Sequence, residues 1–382
     1  MRQYIWDTKL PLVMRNFNID ILRMLFAILI VIAHMGIMKV IPEMVVGPLV
    51  VFFFILTGYF TMAGLEKRKA SQQSFGSFML AKFMSFFPYL VVAAIVVFVL
   101  QTVLQMDYYG YTLGESIISS LLTFFGDISC LSMFGLPFLR GNTAAWYLSG
   151  MMLGLLITYP FVLKFEHKFT KYVAPIIGLI CLAGALRETG TLFGPYDEMW
   201  GVTKGMVESI GSICLGYFTF ECVTWFKTID LTITGKRLLG AVELGCYIVS
   251  IAMIWCWTDI NTGHLQGHIS MPWYETLIVI FLFVAAVLTC SGRTSLAFDI
   301  SERPFLIKLS SFLATGSLVL YLSNYYQIYF VSKLMKFEPV QEYGVYVVFV
   351  LVSFVIVYFG GKYLLKAGRA VKDRLIVTET AE

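Results

Sequence analysis

Ten apolar stretches alternate with short polar segments along the whole chain. They lie near residues 19–38, 43–64, 84–105, 144–163, 172–187, 204–223, 238–257, 272–290, 311–331 and 343–365. Apolar runs of about 18 residues or more cover the hydrocarbon thickness of a bilayer as helices. The pattern therefore predicts an all-α integral membrane protein with about ten transmembrane helices and the lipid bilayer as its surroundings. No loop is long enough for a large soluble domain. The chain reads as a single transmembrane domain over 1–382, with 1–18 as an N-terminal segment and 366–382 as a tail. No cleavable leader is evident, because the first apolar run lacks a small-residue cleavage site and further spans follow at once. One stretch disturbs the alternation. "ESIISSLLTFFGDISCLSMFGLPF" (115–138) is half-apolar, which fits a surface-lying, re-entrant or amphipathic interface segment.

Charge supplies the orientation. With the N-terminus inside, twenty of the 28 Lys and Arg fall in inner segments and six in outer ones. The positive-inside rule then places the N-terminus and the C-terminus in the cytoplasm. Composition agrees with membrane embedding: 58% of residues are hydrophobic, only 14% are charged, and the mean hydropathy is +0.79. The net charge of +4 reflects this loop asymmetry, so no nucleic-acid partner is implied. The seven cysteines are scattered with no C-x-x-C pair and read as small packing residues.

The first apolar run, "NIDILRMLFAILIVIAH" (18–34), carries Asp20, Arg23 and His34. Charges at membrane depth are costly and mark functional sites or internal pairs. Arg23 and His34 are eleven positions apart, which leaves them about 20° apart around a helix. Asp20 lies on the same stripe, about 40° from His34. Asp20 and Arg23 form an i, i+3 pair near the inner surface, and His34 sits alone about 21 Å from Asp20, in the outer third. One reading is an interfacial ion pair plus a hydrogen-bonded histidine. The other is a polar line from the cytoplasmic mouth outward, ending on a group that takes and returns protons near neutral pH.

These residues resemble the opening motif of the membrane-bound acyltransferase-3 family, I-D-x-L-R-x-x-A-x-x-x-V-x-x-H, with Ala27 also in place. "GPLVVFFFILTGYF" is similar to its F-F-x-x-S-G-F element through Phe53, Phe54, Thr57, Gly58 and Tyr59. "WYLSGMMLGLLITYP" (146–160) looks like its W-Y-L-S…P span, and "SLVLYLSNYYQIYF" (317–330) like its Y-x-I-Y-L-x-H element. The resemblance implies a membrane-embedded O-acyltransferase of the surface-polysaccharide type, without a permanently bound cofactor. It would move an acyl group, usually acetyl, from cytoplasmic acyl-CoA (acetyl-CoA) to a hydroxyl of an extracytoplasmic carbohydrate or lipid-linked glycan acceptor. It also implies a multi-pass protein of the cell membrane, in the family's habit a bacterial cytoplasmic membrane. Carried over, His34 would be the catalytic histidine, with Arg23 and Asp20 as its companions.

The chain departs from the family pattern in two places. Where the family commonly has an R-x-x-R motif before a proline, "MLAKFMSFFPYL" keeps Pro88 but has Ala81, Lys82 and Ser85. Lys82 could hold a CoA phosphate only as a point charge. Arg68 and Lys69 of the "EKRK" run could add to it, or could serve as an ordinary positive-inside anchor. Asn324 stands where the family often has histidine. An amide forms hydrogen bonds but takes no proton. These departures keep open a non-catalytic relative that transports or exports a polar solute or glycan. For the acceptor, Glu208 in the outer third of its span, Trp146 and Asn324 are candidates. Trp146, Trp200, Trp273 and Tyr274 also suit an interfacial aromatic belt. Glu243 and Glu275 are expected to reach interfacial water. His264 and His268 in "GHLQGH" have helical metal spacing without a helix or a third ligand, so no metal site is expected.

Overall fold

A computed structural model describes residues 16–36, 46–135, 142–192, 194–261, 272–324 and 339–379, and these are almost wholly helical. The helices are α1 (Phe17–Gly36), α2 (Gly47–Ala63), α3 (Leu65–Ala70), α4 (Phe75–Tyr109), α5 (Leu113–Ile128), α6 (Trp146–Lys168), α7 (Ala174–Thr189), α8 (Lys204–Lys227), α9 (Ile233–Asn261), α10 (Pro272–Ser291), α11 (Pro304–Leu322) and α12 (Pro339–Glu379). Among the described residues the one strand pair is a two-residue hairpin, Glu198–Met199 against Val202–Thr203. Among the described residues, eight helical stretches are long and apolar enough to cross a membrane. One of them, Trp146–Thr189, is 44 residues long. It contains a break: Glu166 has φ 48° and ψ −132°, and a π-turn over Phe169–Val173 leads into α7. The shorter apolar helix Gly47–Ala63 adds a further element. The chain is thus an all-α integral membrane protein.

Side-chain pairs reveal the helix directions. Asp20 meets Ser310 and His34 meets Asn324, both 290 positions apart, so α1 and α11 run parallel and in register. The pairs Gly150–Ser209, Gly154–Ile213 and Thr158–Tyr217 likewise share one offset, which makes α6 and α8 parallel. The α7–α8, α9–α10 and α4–α12 pairs are antiparallel. Helix α8 is central and packs on α2, α6, α7 and α10. It reaches α2 by backbone contact: a Cβ on Gly58 would lie 2.2 Å from the Ile213 carbonyl oxygen, and one on Gly216 2.2 Å from that of Ile55. Small residues are how membrane helices approach this closely.

Three expectations shift. The third apolar stretch extends back to Phe75, where the Ser74 hydroxyl caps the Ser77 N–H, so Lys82 and Ser85 lie within a continuous helix. The half-apolar stretch forms α5, a regular helix folded antiparallel against the C-terminal part of α4, with Gln105 bonded to Ser119 and Thr123 to Gln101. Its buried face is polar (Ser116, Ser120, Thr123, Asp127), while Ile118, Leu122 and Phe125 are exposed. Small polar side chains pack against α4, and the apolar ones face outward as a lipid-contacting surface requires. Finally, Glu243 and Glu275 do not reach water; each is 2% exposed and hydrogen-bonded. Glu243 accepts from Thr289 and Thr294, both at 2.6 Å. The span ends they occupy are covered by neighbouring loops.

Candidate functional site

The parallel α1–α11 pair carries a polar group at each end. At the N-terminal end Asp20 is buried, accepts from the Ser310 hydroxyl and lies 4.0 Å from Arg23. Arg23 is half-buried, and its charge reaches Lys82 on α4. Lys82 also lies within electrostatic reach of Arg68. Three cations from α1, α3 and α4 therefore gather at this end, with Asp20 as the nearby counter-ion. Like charges held together in a poorly hydrated setting favour an anion among them. The guanidinium of Arg68 is itself ordered. Nε donates to the Tyr159 hydroxyl at 2.9 Å, Nη2 donates to the Thr61 carbonyl, and the group lies 4.7 Å from the Phe78 ring centroid. Lys69 stands apart, 3.0 Å from Glu166 and 3.2 Å from Glu66, and these carboxylates hold its ammonium above the usual lysine range.

At the other end His34 closes α1. Its Nδ1 lies 2.6 Å from the Ile30 carbonyl oxygen and 3.1 Å from the Asn324 amide nitrogen, just past the C-terminus of α11. The other amide atom of Asn324 is bonded to the hydroxyl of Tyr346 on α12. Among the described residues nothing partners His34 Nε2. Between the two ends stand aromatic hydroxyls. Tyr147 on α6 feels the Arg23 charge, lies 3.3 Å from the Thr57 hydroxyl, and packs on Tyr321 at 5.7 Å between ring centroids. Tyr321 in turn lies within electrostatic reach of Tyr196 in the loop between α7 and α8. Cations, hydroxyls and imidazole thus form a line along α1 and α11. It joins Arg23, Lys82 and Arg68 at one end and His34 with Asn324 at the other. Asp20 and Arg23 do not meet His34.

The loop between α7 and α8 is pinned over the bundle. Lys204 is fully buried and donates to Thr189 Oγ1, the Thr191 carbonyl and Asp197 Oδ2 at 3.1–3.2 Å. Glu275 accepts from the Thr191 hydroxyl at 2.5 Å and the Leu192 N–H at 2.7 Å. Asp127 accepts the Asn142 N–H at 2.6 Å, and Asn142 donates to the Leu322 carbonyl at 3.2 Å, tying α5 to the end of α11 beside Asn324. One turn below Lys204, Glu208 is 2% exposed, and among the described residues its Oε1 has no hydrogen-bond partner. Trp146 is half-buried at the head of α6, 6.0 Å from Phe54 between ring centroids. Of the aromatic-belt residues, Trp200 and Trp273 are exposed as expected, whereas Tyr274 is buried and donates to the Met253 carbonyl at 2.6 Å. No group of three or more His, Cys, Asp or Glu suited to a metal occurs among the described residues, and His264 and His268 lie outside them.

Sequence reasoning missed Tyr346, Tyr147 and Lys204. The tyrosines stand in apolar runs where they look like packing residues, and Lys204 resembles an ordinary loop cation. The signal that marks them is tertiary: a hydroxyl or ammonium bonded across helices. No curated protein and no solved structure matches the chain. A family model described as an acyltransferase domain, Acyl_transf_3, matches residues 16–360. With the histidine and the cationic cluster both inside that span, the chain belongs to the acyltransferase-3 family and is a membrane acyltransferase.

Proposed function

We propose that this protein is an O-acyltransferase of the bacterial cytoplasmic membrane. It has ten crossings and cytoplasmic termini, and it moves an acyl group from cytoplasmic acyl-CoA to a hydroxyl of an extracytoplasmic glycan. Acetyl is the acyl group the family resemblance favours. The observation that carries the reading is the register of α1 against α11, which sets the Arg23–Lys82–Arg68 cluster and His34 at opposite ends of one polar line. The cations suit the phosphates of CoA, which would direct the pantetheine arm along the tyrosine-lined path. Lys69, already held by two carboxylates, takes the lesser part in donor binding. At the far end His34 Nε2 takes the proton of the acceptor hydroxyl as its oxygen attacks the thioester carbonyl. The C–O bond forms, the C–S bond breaks, and the imidazolium returns the proton to the leaving thiolate. Asp20 holds Arg23 in place. Trp146 offers a stacking face to a sugar, and Oε1 of Glu208, without a hydrogen bond among the described residues, offers an acceptor for its hydroxyls.

The test is binding of labelled acetyl-CoA to the detergent-purified protein, with slow CoA release followed alongside. Loss of one charge-assisted contact is worth about 1.5–3 kcal/mol. Lys82→Ala and Arg23→Ala should therefore each weaken binding by about tenfold or more. His34→Ala should bind normally and release no CoA. No binding at saturating acetyl-CoA or longer acyl-CoAs would overturn the donor assignment.

A further inference from the structure

Two groups compete for one nitrogen of His34. The Ile30 carbonyl oxygen lies 2.6 Å from Nδ1, and the Asn324 amide nitrogen lies 3.1 Å from it. An imidazole nitrogen cannot donate to the first and accept from the second in the same state. A carbonyl oxygen at the shorter distance is attractive only toward an N–H, so Nδ1 carries the proton and Nε2 keeps its lone pair. The NH2 of Asn324 would then point its hydrogens at the Nδ1–H. Amide nitrogen and oxygen exchange places on a half-turn, with the heavy-atom positions nearly unchanged. After that turn Oδ1 shares the Nδ1–H with Ile30, and the NH2 donates to the Tyr346 hydroxyl oxygen, which accepts as readily as it donates. Asn324 and Tyr346 are both 2% exposed, so neither has water to exchange for this partner.

We propose that Asn324 and Tyr346 are positioning residues that fix the tautomer and ring plane of His34. Held from α11 and, through the phenol, from α12, Nδ1–H leaves Nε2 as the one basic atom facing the acceptor. This inference rests on the reading of His34 as the general base. It also accounts for an amide at position 324: the task there is to accept a hydrogen bond, and no proton has to be taken. Without the pair, only the His34 helix's own carbonyl holds the ring, and the two tautomers become alternatives.

The experiment is nitrogen NMR of protein labelled with 15N only at its four histidines, with the His34 signals assigned by their loss in His34→Gln. The wild type should show a protonated Nδ1 and a lone-pair Nε2. Tyr346→Phe and Asn324→Leu should show a mixture of tautomers and a fall in kcat of roughly 10- to 100-fold, the scale for losing a partner that orients a working histidine. KM for acyl-CoA should stay unchanged. Asn324→Asp should restore the single tautomer and kcat to within a few-fold, because one carboxylate oxygen accepts the Nδ1–H and the other accepts the Tyr346 O–H. A wild-type spectrum with the proton on Nε2 overturns the proposal, even where the variants fail to fold. So does retention of both tautomer and kcat in Tyr346→Phe and Asn324→Leu. Acyl transfer that survives His34→Gln sinks the general-base reading instead and leaves the tautomer result standing.

Discussion

Two buried carboxylates, Glu275 and Glu208, differ in what they hold, and the difference decides how each tolerates change. Glu275 fastens the loop after α7 through the Leu192 N–H and the Thr191 hydroxyl. Glu275→Ala strands that buried N–H, at about 1–3 kcal/mol. Glu275→Gln can keep both bonds, its oxygen accepting from Leu192 and its NH2 donating to Thr191. The thermal midpoint in detergent should fall clearly for the alanine variant and little for the glutamine one; equal midpoints would refute the stapling role. Glu208 Oε1 has no hydrogen bond to lose among the described residues, and a buried carboxylate is costly to keep. Glu208→Gln should leave the midpoint unchanged or raised, while acceptor KM rises and slow CoA release without acceptor continues. An unaltered acceptor KM would remove Glu208 from the acceptor site. The same contrast explains what could be read in advance. Asp20, Arg23 and His34 stood out because ionisable groups in an apolar span need a reason, and helical spacing put them on one face. Tyr346 and Tyr147 carry no such cost, and Glu275 at a span end has water as its default partner until a loop is known to cover it.

At the level of helices, the contact between α2 and α8 depends on two missing side chains. Gly58 belongs to the element shared with the family, yet its place in the structure is a crossing point, where a Cβ would run into the backbone of α8. Overpacking commonly costs about 1–3 kcal/mol, and a clash with backbone cannot be relieved by a rotamer change. Gly58→Ala and Gly216→Ala should each lower the thermal midpoint, whereas Gly245→Ala on α9, which meets open space, should not. Equal effects at all three would show that α2 and α8 are not so close. Helix α5 makes a different prediction. Its capping box has Glu115 accepting from the Thr112 hydroxyl and N–H, which holds that carboxyl below the usual range. A lowered carboxyl stabilises the helix start above its unfolded value, and the effect is lost as pH falls through the folded one. The extra protection of amides 113–116 in the wild type over Thr112→Ala, which lacks the cap's hydroxyl, should shrink as pH falls below about 4. Hydropathy located these helices but not their ends. Ends follow from caps and neighbours, as Ser74 shows for α4, and the polar face of α5 becomes intelligible only once α4 lies against it.

For the molecule as a whole, helix direction tests the count of crossings. Parallel membrane-spanning helices must have an odd number of crossings between them in the chain. Helices α1 and α11 are parallel, and between them lie α2, α4, α6, α7, α8, α9 and α10, together with α5 and the one-turn-and-a-half α3. If the seven long elements each cross, α11 is the ninth span and shares the direction of α1. If α5 crossed as well, α11 would be the tenth and the pair would have to be antiparallel, which the Asp20–Ser310 and His34–Asn324 contacts forbid. The antiparallel α4–α12 pair, third and tenth on this count, obeys the same rule, as do α6 and α8, fourth and sixth. The count places Lys82 and the EKRK run on the side of the N-terminus and the two ends of α5 together on the opposite side. From the twenty-to-six bias of Lys and Arg, we predict that the first of these is the cytoplasmic side. Reporter fusions settle the matter. Alkaline phosphatase joined after Glu382 or after Gln72 should be inactive, and after Tyr111 it should be active. Activity at the first two sites would turn the molecule over, placing the cationic cluster outside, where no acyl-CoA could reach it.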